Sequence, residues 1–216
     1  MYRYILFDLD GTLTDSREGI VHCVRETVES YGDPVPAEEI LLRFIGPPLQ
    51  DSFVRFCGYS PEKAVDAVER FRLRYEPVGQ YENRAAPGMA ELMGRLKERG
   101  YVLALASSKP ENLCVSICAR FGFAPHLSAL VGSPPNGDWE KEDVVREAMR
   151  QLGVADAAQV LMVGDRKFDV LGARACGVDC AGVTFFGYAP EGELEEAGAV
   201  AVASTPEELE EFILSH

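Results

Sequence analysis

Apolar residues along this chain fall into two kinds of pattern. Short, nearly continuous runs occur at Tyr4–Phe7, Val102–Ala106, Ala129–Val131, Val160–Val163, Ala181–Phe185 and Ala199–Ala203. Runs of this length without polar alternation read as strands of a sheet covered on both faces. Between them, apolar residues recur at helical spacing. Met89, Leu92, Met93 and Leu96 stand at i, i+3, i+4 and i+7, and Val144, Val145, Ala148, Met149 and Leu152 follow the same period. This alternation predicts an α/β fold with a doubly wound parallel sheet of the Rossmann-like kind.

One stretch departs from the alternation. From about Ser16 to Glu82 there are helical periods and no clear strand. Ile20, Val24, Thr27, Val28 and Tyr31 form one stripe, and Ala64, Val65, Val68, Phe71 and Tyr75 form another. Pro34-Val35-Pro36, Gly46-Pro47-Pro48 and Ser60-Pro61 punctuate them. The pattern predicts a small all-helical domain, residues 16–82, of four helices joined by short turns. It is inserted into a core made of residues 1–15 and 83–216.

Composition narrows the function classes. The chain has 216 residues, with 35 acidic against 21 basic ones and a net charge of -14. A basic face for a nucleic acid polymer or an anionic membrane is therefore not expected, because phosphate affinity comes mainly from clustered Lys and Arg. Eight of the Glu lie beyond Gly187, where there is no Lys or Arg, so the rest of the molecule is only mildly acidic. No apolar run approaches the roughly 20 residues that span a bilayer. The first residues lack the basic segment and long apolar stretch of a secretory leader. The six cysteines form no CxxC and read as buried free thiols, which suits a reducing, cytoplasmic setting. His22, His126 and His216 have no Ser or Cys arrangement around them and read as surface or core residues.

The chemistry is expected at the strand ends, since ligands of an open parallel sheet bind beyond the carboxyl ends of its strands. The first strand runs into Asp8-Leu9-Asp10-Gly11-Thr12, the second into Ser107-Ser108-Lys109, and the fourth into Gly164-Asp165, with Asp169 four residues on. Four carboxylates in one cleft repel strongly. A single pair at about 4 Å costs roughly 4 kcal/mol at an effective dielectric near 20. Either some of them are protonated or a cation is present. Oxygen ligands with no His or Cys nearby suit Mg²⁺, which keeps waters and accepts phosphate oxygens.

Asp8-Leu9-Asp10-Gly11-Thr12-Leu13, Ser107, Lys141 and Gly164-Asp165-Arg166-Lys167-Phe168-Asp169 together resemble the four-motif signature of the haloacid dehalogenase-like hydrolase superfamily. The motifs occur in order along essentially the whole chain. The helical insertion resembles the cap of its phosphoglycolate phosphatase-like members.

The resemblance implies roles. Asp8 is the expected nucleophile, forming an aspartyl-phosphate, and Asp10 the acid for the leaving alcohol and then the base for water. Asp8, the Asp10 carbonyl and Asp165 would hold Mg²⁺, with Asp169 acting directly or through water. An Asp at position 10 points to phosphoryl transfer rather than halide release, which needs no proton. Ser107 would donate to the phosphoryl group, with Gly11, Thr12 and Ser108 lining it.

Lys141 opens a predicted helix among Glu140, Glu142 and Asp143. A cation there opposes the helix dipole by roughly 0.3–1 kcal/mol, which points to a task, the neutralisation of phosphoryl oxygens. Lys109 is the rival, expected at the cleft rim. Arg43, ahead of Phe44-Ile45-Gly46-Pro47-Pro48, would meet a substrate carboxylate, and Gly46 belongs to the same specificity loop.

The expected activity is a Mg²⁺-dependent phosphatase acting on a small phosphorylated metabolite, 2-phosphoglycolate-like or a nucleoside monophosphate, by a monomer or homodimer. A phosphomutase of the β-phosphoglucomutase type stays open, although Leu41–Gln50 lacks a basic sugar-phosphate-binding segment. So do a pyrophosphatase and a binding protein on an inactive enzyme fold, the last disfavoured by the intact Asp8, Asp10, Asp165 and Asp169.

Overall fold

The computed structural model describes residues 1–134 and 139–216. Pro135, Asn136, Gly137 and Asp138, within the segment ahead of Lys141, lie outside the described residues. The chain forms two compact units, Met1–Thr14 with Ala85–His216 and, separately, Asp15–Arg84. Each boundary falls inside a two-residue strand, β2 (Thr14–Asp15) and β3 (Arg84–Ala85), and these two pair with each other.

The larger unit is built on β1 (Tyr4–Phe7), β4 (Val102–Pro110), β5 (Leu127–Ser133), β6 (Val160–Gly164), β7 (Asp179–Val183) and β8 (Ala201–Ala203). They form a six-stranded sheet in the order β5-β4-β1-β6-β7-β8, with every neighbouring pair parallel. The chain builds outward from β1 on one side and then returns to build outward on the other. The carboxyl end of β1 is therefore the switch point of a doubly wound sheet, the usual ligand crevice of such folds.

Helices cover both faces. Ile5, Phe7, Leu103, Leu105, Leu161 and Val163 point to one side, where α5 (Met89–Glu98), α6 (Glu111–Arg120) and α10 (Pro206–Ser215) supply Met89, Leu92, Ile117 and Leu209. Leu6, Ala104, Ala106, Val160 and Met162 point to the other, against Val144, Val145 and Ala148 of α7 (Lys141–Leu152), Val170 and Ala173 of α8 (Lys167–Ala175) and Leu194 of α9 (Glu193–Ala197). Both faces of the central strands are buried, so their sequences carry no polar alternation.

Five strands differ in extent from the apolar runs: β5 extends two residues beyond Ala129–Val131 at each end, β6 runs one residue further to Gly164, and β4, β7 and β8 depart as follows. β7 occupies Asp179–Val183 rather than Ala181–Phe185. Thr184 N–H still reaches Ala203 O, but Gly187 N–H closes a turn onto Thr184 O, so Phe185 and Phe186 leave the sheet and pack half-buried against the core. β8 is shorter than the run Ala199–Ala203. β4 continues past Ala106 to Pro110, with a register irregularity against β5 between those two residues.

The smaller unit contains α1 (Arg17–Glu29), α2 (Glu38–Leu41), α3 (Leu49–Cys57) and α4 (Pro61–Tyr75), with single 3-10 turns at Leu42–Phe44 and Gly79–Tyr81. α4 starts where Ser60 Oγ accepts from Lys63 N–H and Pro61 takes the first helical position. α3 stops at Gly58, whose φ of +67° favours glycine. The expected stripe on α4 is shifted. Ala64, Ala67, Phe71 and Tyr75 face inward, whereas Val65 is 47% exposed. The run of apolar residues on α4 is wider than the face it buries. Cys114 and Cys118 share a buried face of α6, Cys176 follows α8, Cys180 lies in β7, and all six cysteines are free. Among the described residues no helix is long and apolar enough to cross a membrane.

Phe71 stacks on Tyr75 with ring centroids 5.1 Å apart and is almost wholly buried. Phe71→Ala is expected to cost about 3–5 kcal/mol and Val65→Ala less than about 0.5 kcal/mol, measured by urea unfolding followed by circular dichroism.

Candidate active site

The site grows from the end of β1. Asp8 N–H still pairs with Val163 O at 2.9 Å, so Asp8 is held at the sheet's edge. Beyond it the chain folds back sharply, and the N–H groups of Thr12, Leu13 and Thr14 all donate to Leu9 O. Leu9 and Leu13 are fully buried and anchor this turn from both sides. Gly11 makes the turn with φ +87°. A Cβ on Gly11 would also lie 2.1 Å from Asp165 Oδ2, so the bare backbone at position 11 is what leaves room for that carboxylate.

Asp8, Asp165 and Asp169 each offer a carboxylate oxygen within 4.8 Å of the others, and all three are buried. Asp165 follows β6 directly, and Asp169 lies in the first turn of α8. Asp169 Oδ2 accepts Arg166 N–H at 3.0 Å, so one of its oxygens caps the helix. Lys141, at the first position of α7, reaches back across the sheet edge. Its Nζ donates to Asp8 Oδ1 at 2.6 Å and to Ala106 O at 3.1 Å, and forms an ion pair with Asp169 Oδ1 at 2.7 Å. Burial works against charge on Lys141, but the Asp169 and Asp8 carboxylates outweigh it and hold the ammonium above its ordinary range. Burial pushes the Asp8 carboxyl up to about 6 against the pull of Lys141. Asp165 is raised well above the usual carboxylate range by burial first, then by the charges of Asp169 and Asp8.

Both oxygens of Asp165 are buried without a hydrogen-bond partner among the described residues. Buried carboxylates in such a state call for a proton or a cation. The four carboxylates Asp8, Asp10, Asp165 and Asp169 and the two ammoniums Lys109 and Lys141 leave two negative charges. One divalent, oxygen-seeking ion fits that donor set and that charge.

The remaining expected residues are placed as follows. Ser107 is buried in the irregular stretch of β4, and Ser108 beside it is half-buried. Thr12 is fully buried, and its hydroxyl has no partner among the described residues. Arg43 and Gly46 belong to the helical unit. Both are exposed, Arg43 in the 3-10 turn Leu42–Phe44 and Gly46 with φ +100°.

Lys109 is not a rim residue. Its side chain is 7% exposed, and its Nζ lies 2.7 Å from Asp10 Oδ2. Ser107 and Lys109 stand two residues apart on β4, the spacing that places two residues on one face of a strand. Two further residues carry no motif signal. Glu193 Oε1 pairs with Arg166 Nε at 2.8 Å and accepts Lys167 N–H at 3.1 Å, which ties down the turn between Asp165 and Asp169. Gly172 sits in α8 where a Cβ would lie 2.6 Å from Lys141 Cγ, so its bareness lets the lysine stem pass. A glycine inside a helix costs roughly 1 kcal/mol against Ala, and that cost is the one sequence clue to it.

Comparison with known proteins places the chain in a family. Residues 5–183 match the haloacid dehalogenase-like hydrolase family. The chain is similar to the 5'-nucleotidase of Pseudomonas aeruginosa, 42% identical over 194 residues that cover 89% of this chain and 87% of that protein. It is also similar to the tyrosine-protein kinase PtkA of Mycobacterium tuberculosis, 35% identical over 212 residues, 97% of this chain and 72% of that one. Among solved structures, a predicted phosphatase from Clostridium acetobutylicum matches with a TM-score of 0.94 over 100% of both chains at 37% identity. With its four acidic and two basic side chains gathered at the switch point of the sheet, the chain belongs to the haloacid dehalogenase-like hydrolase family and is one of its phosphatases.

Proposed function

We propose that the protein is a Mg²⁺-dependent phosphatase of small phosphomonoesters that works through an aspartyl-phosphate on Asp8. One observation carries the reading: Asp8 directly follows the central strand with Lys141 Nζ 2.6 Å from one oxygen, and beside it is the Asp165 carboxylate, which has no hydrogen-bond partner among the described residues. A nucleophile so placed can approach the phosphorus of a dianionic group while cationic charge faces the phosphoryl oxygens.

In the first step an Asp8 oxygen forms a bond to phosphorus as the ester P–O bond breaks. Asp10 gives its proton to the departing alkoxide. In the second step water attacks the aspartyl-phosphate, its proton passes to Asp10, and the Asp8 carboxylate is released with inorganic phosphate. Lys141 holds Asp8 in place and shares the charge of the phosphoryl oxygens. Ser107 donates to one of those oxygens from the edge of β4. Mg²⁺ held by Asp8, Asp165 and the Asp10 carbonyl, with Asp169 directly or through water, supplies charge neutralisation when bound.

Among substrates, a nucleoside monophosphate ranks first, because the 5'-nucleotidase relative shares 42% of its residues along most of both chains. 2-Phosphoglycolate ranks second, with the exposed Arg43 of the helical unit as the candidate contact for its carboxylate. A setting in the cytoplasm matches six free thiols.

Phosphate release from nucleoside monophosphates, 2-phosphoglycolate, sugar phosphates, pyrophosphate and O-phosphotyrosine checks this reading. Release is expected to require Mg²⁺ and to fall by at least about 10³-fold in Asp8→Asn, since loss of the nucleophile removes the covalent route. Release that survives chelation, or that Asp8→Asn retains, contradicts it. A second outcome concerns stability. Mg²⁺ at about 100 times its Kd is expected to stabilise the wild type by roughly 2.7 kcal/mol. Asp165→Asn is expected to lose this gain yet to melt no lower than the wild type in chelator, because one repelling charge is gone. Thermal unfolding with and without Mg²⁺ reads both effects.

A further inference from the structure

We propose that Lys109 is a positioning residue that fixes which oxygen of Asp10 carries the proton. The inference rests on Asp10 acting as the acid and base of the phosphatase reading. Lys109 Nζ lies 2.7 Å from Asp10 Oδ2, and the two side chains are 7% and 15% exposed. An ammonium has hydrogens to donate and no lone pair to accept with. Oδ2 can accept from it as a carboxylate oxygen when Asp10 is ionised and as the carbonyl oxygen of the acid when Asp10 is protonated. One geometry therefore serves both protonation states, provided the proton comes and goes on Oδ1. That second oxygen is buried and has no hydrogen-bond partner among the described residues. An acid hydrogen on it is not spent on a protein acceptor there.

The backbone explains how a lysine arrives at this point. The β4–β5 register shifts between Ala106 and Pro110, and Ser107, Ser108 and Lys109 occupy the irregular stretch. Such irregularities re-aim side chains next to active sites. Lys109 N–H donates to Ser107 Oγ at 3.4 Å, and Lys109 O accepts from Cys114 Sγ at 3.5 Å, so the segment is tied from within and from α6. One short stretch thus brings a hydroxyl and an ammonium to the end of β1. In the first step the proton leaves Oδ1 for the departing oxygen, and in the second a water proton returns to Oδ1. Lys109 stays charged and donates to Oδ2 throughout. Without it the carboxyl can rotate, and either oxygen can turn away from the leaving group.

The test uses leaving groups that differ in their need for a proton. The kcat and KM of the full-length protein with Mg²⁺ are measured for an alkyl phosphate, whose alkoxide must be protonated, and for p-nitrophenyl phosphate, whose phenolate need not be. Wild type, Lys109→Met and Lys109→Arg are compared. Lys109→Met is expected to lose roughly 10- to 100-fold more kcat on the alkyl ester than on the aryl ester, part of the 10²–10⁴-fold that a positioned acid supplies. KM is expected to stay within about threefold for both esters. Lys109→Arg is expected to recover part of the alkyl loss, because it keeps a donor to Oδ2. Equal losses on the two esters would mark Lys109 as merely structural, and a raised KM with kcat kept would mark it as a substrate contact. Either result overturns the inference while leaving the phosphatase reading intact. No turnover of either ester by the wild type removes that reading and this inference with it.

Discussion

Everything at this site depends on one buried ammonium. Asp8, Asp165 and Asp169 are taken out of water at the ends of β1 and β6 and in the first turn of α8, and Lys141 Nζ stands within 2.7 Å of two of them. Removing one partner from such a group costs roughly 3–5 kcal/mol, because the remaining charges are left buried and uncompensated. The local anatomy serves that contact. α7 begins with a lysine against its own dipole, Gly172 clears the path of the lysine stem, and Gly11 clears the space for Asp165. A core packed on both faces of the sheet holds β1 and β6 in register, and so fixes how far apart the carboxylates sit.

The charge arithmetic connects this packing to function. Four carboxylates against two ammoniums favour a divalent ion and disfavour two bare anions meeting in one cleft. A strongly acidic protein can thus be a phosphatase. Much of its excess charge lies beyond Gly187, and the rest is balanced within the site. The two lysines stand against different carboxylates: Lys141 meets Asp8 from the start of α7, and Lys109 meets Asp10 from the end of β4.

Most of the architecture was legible because its signals are local. Continuous apolar runs mark strands buried on both faces, and Met89, Leu92, Met93 and Leu96 mark a helix that exists as Met89–Glu98. The approach of Asp8 to Asp165 was legible because a parallel sheet brings its carboxyl ends together whatever the loops do. What was not legible depends on three-dimensional approach. Val65 continues an apolar run yet points to solvent, since period alone does not set the width of a buried face. Thr184 and Phe185 read as strand because apolar content does not register a turn at Thr184–Gly187. Lys109 meets Asp10 across 99 residues and Glu193 reaches Arg166 across 27, and neither approach is contained in a local spacing rule.

The most direct test is to trap the covalent state. The protein is turned over with Mg²⁺ and a phosphomonoester, quenched in acid and reduced with borohydride, which converts an acyl phosphate of aspartate to homoserine. Peptide mass mapping then locates the change. Homoserine is expected at position 8, dependent on Mg²⁺ and substrate. A turning-over enzyme with an unmodified Asp8, or with the modification at Asp10, Asp165 or Asp169, would contradict it.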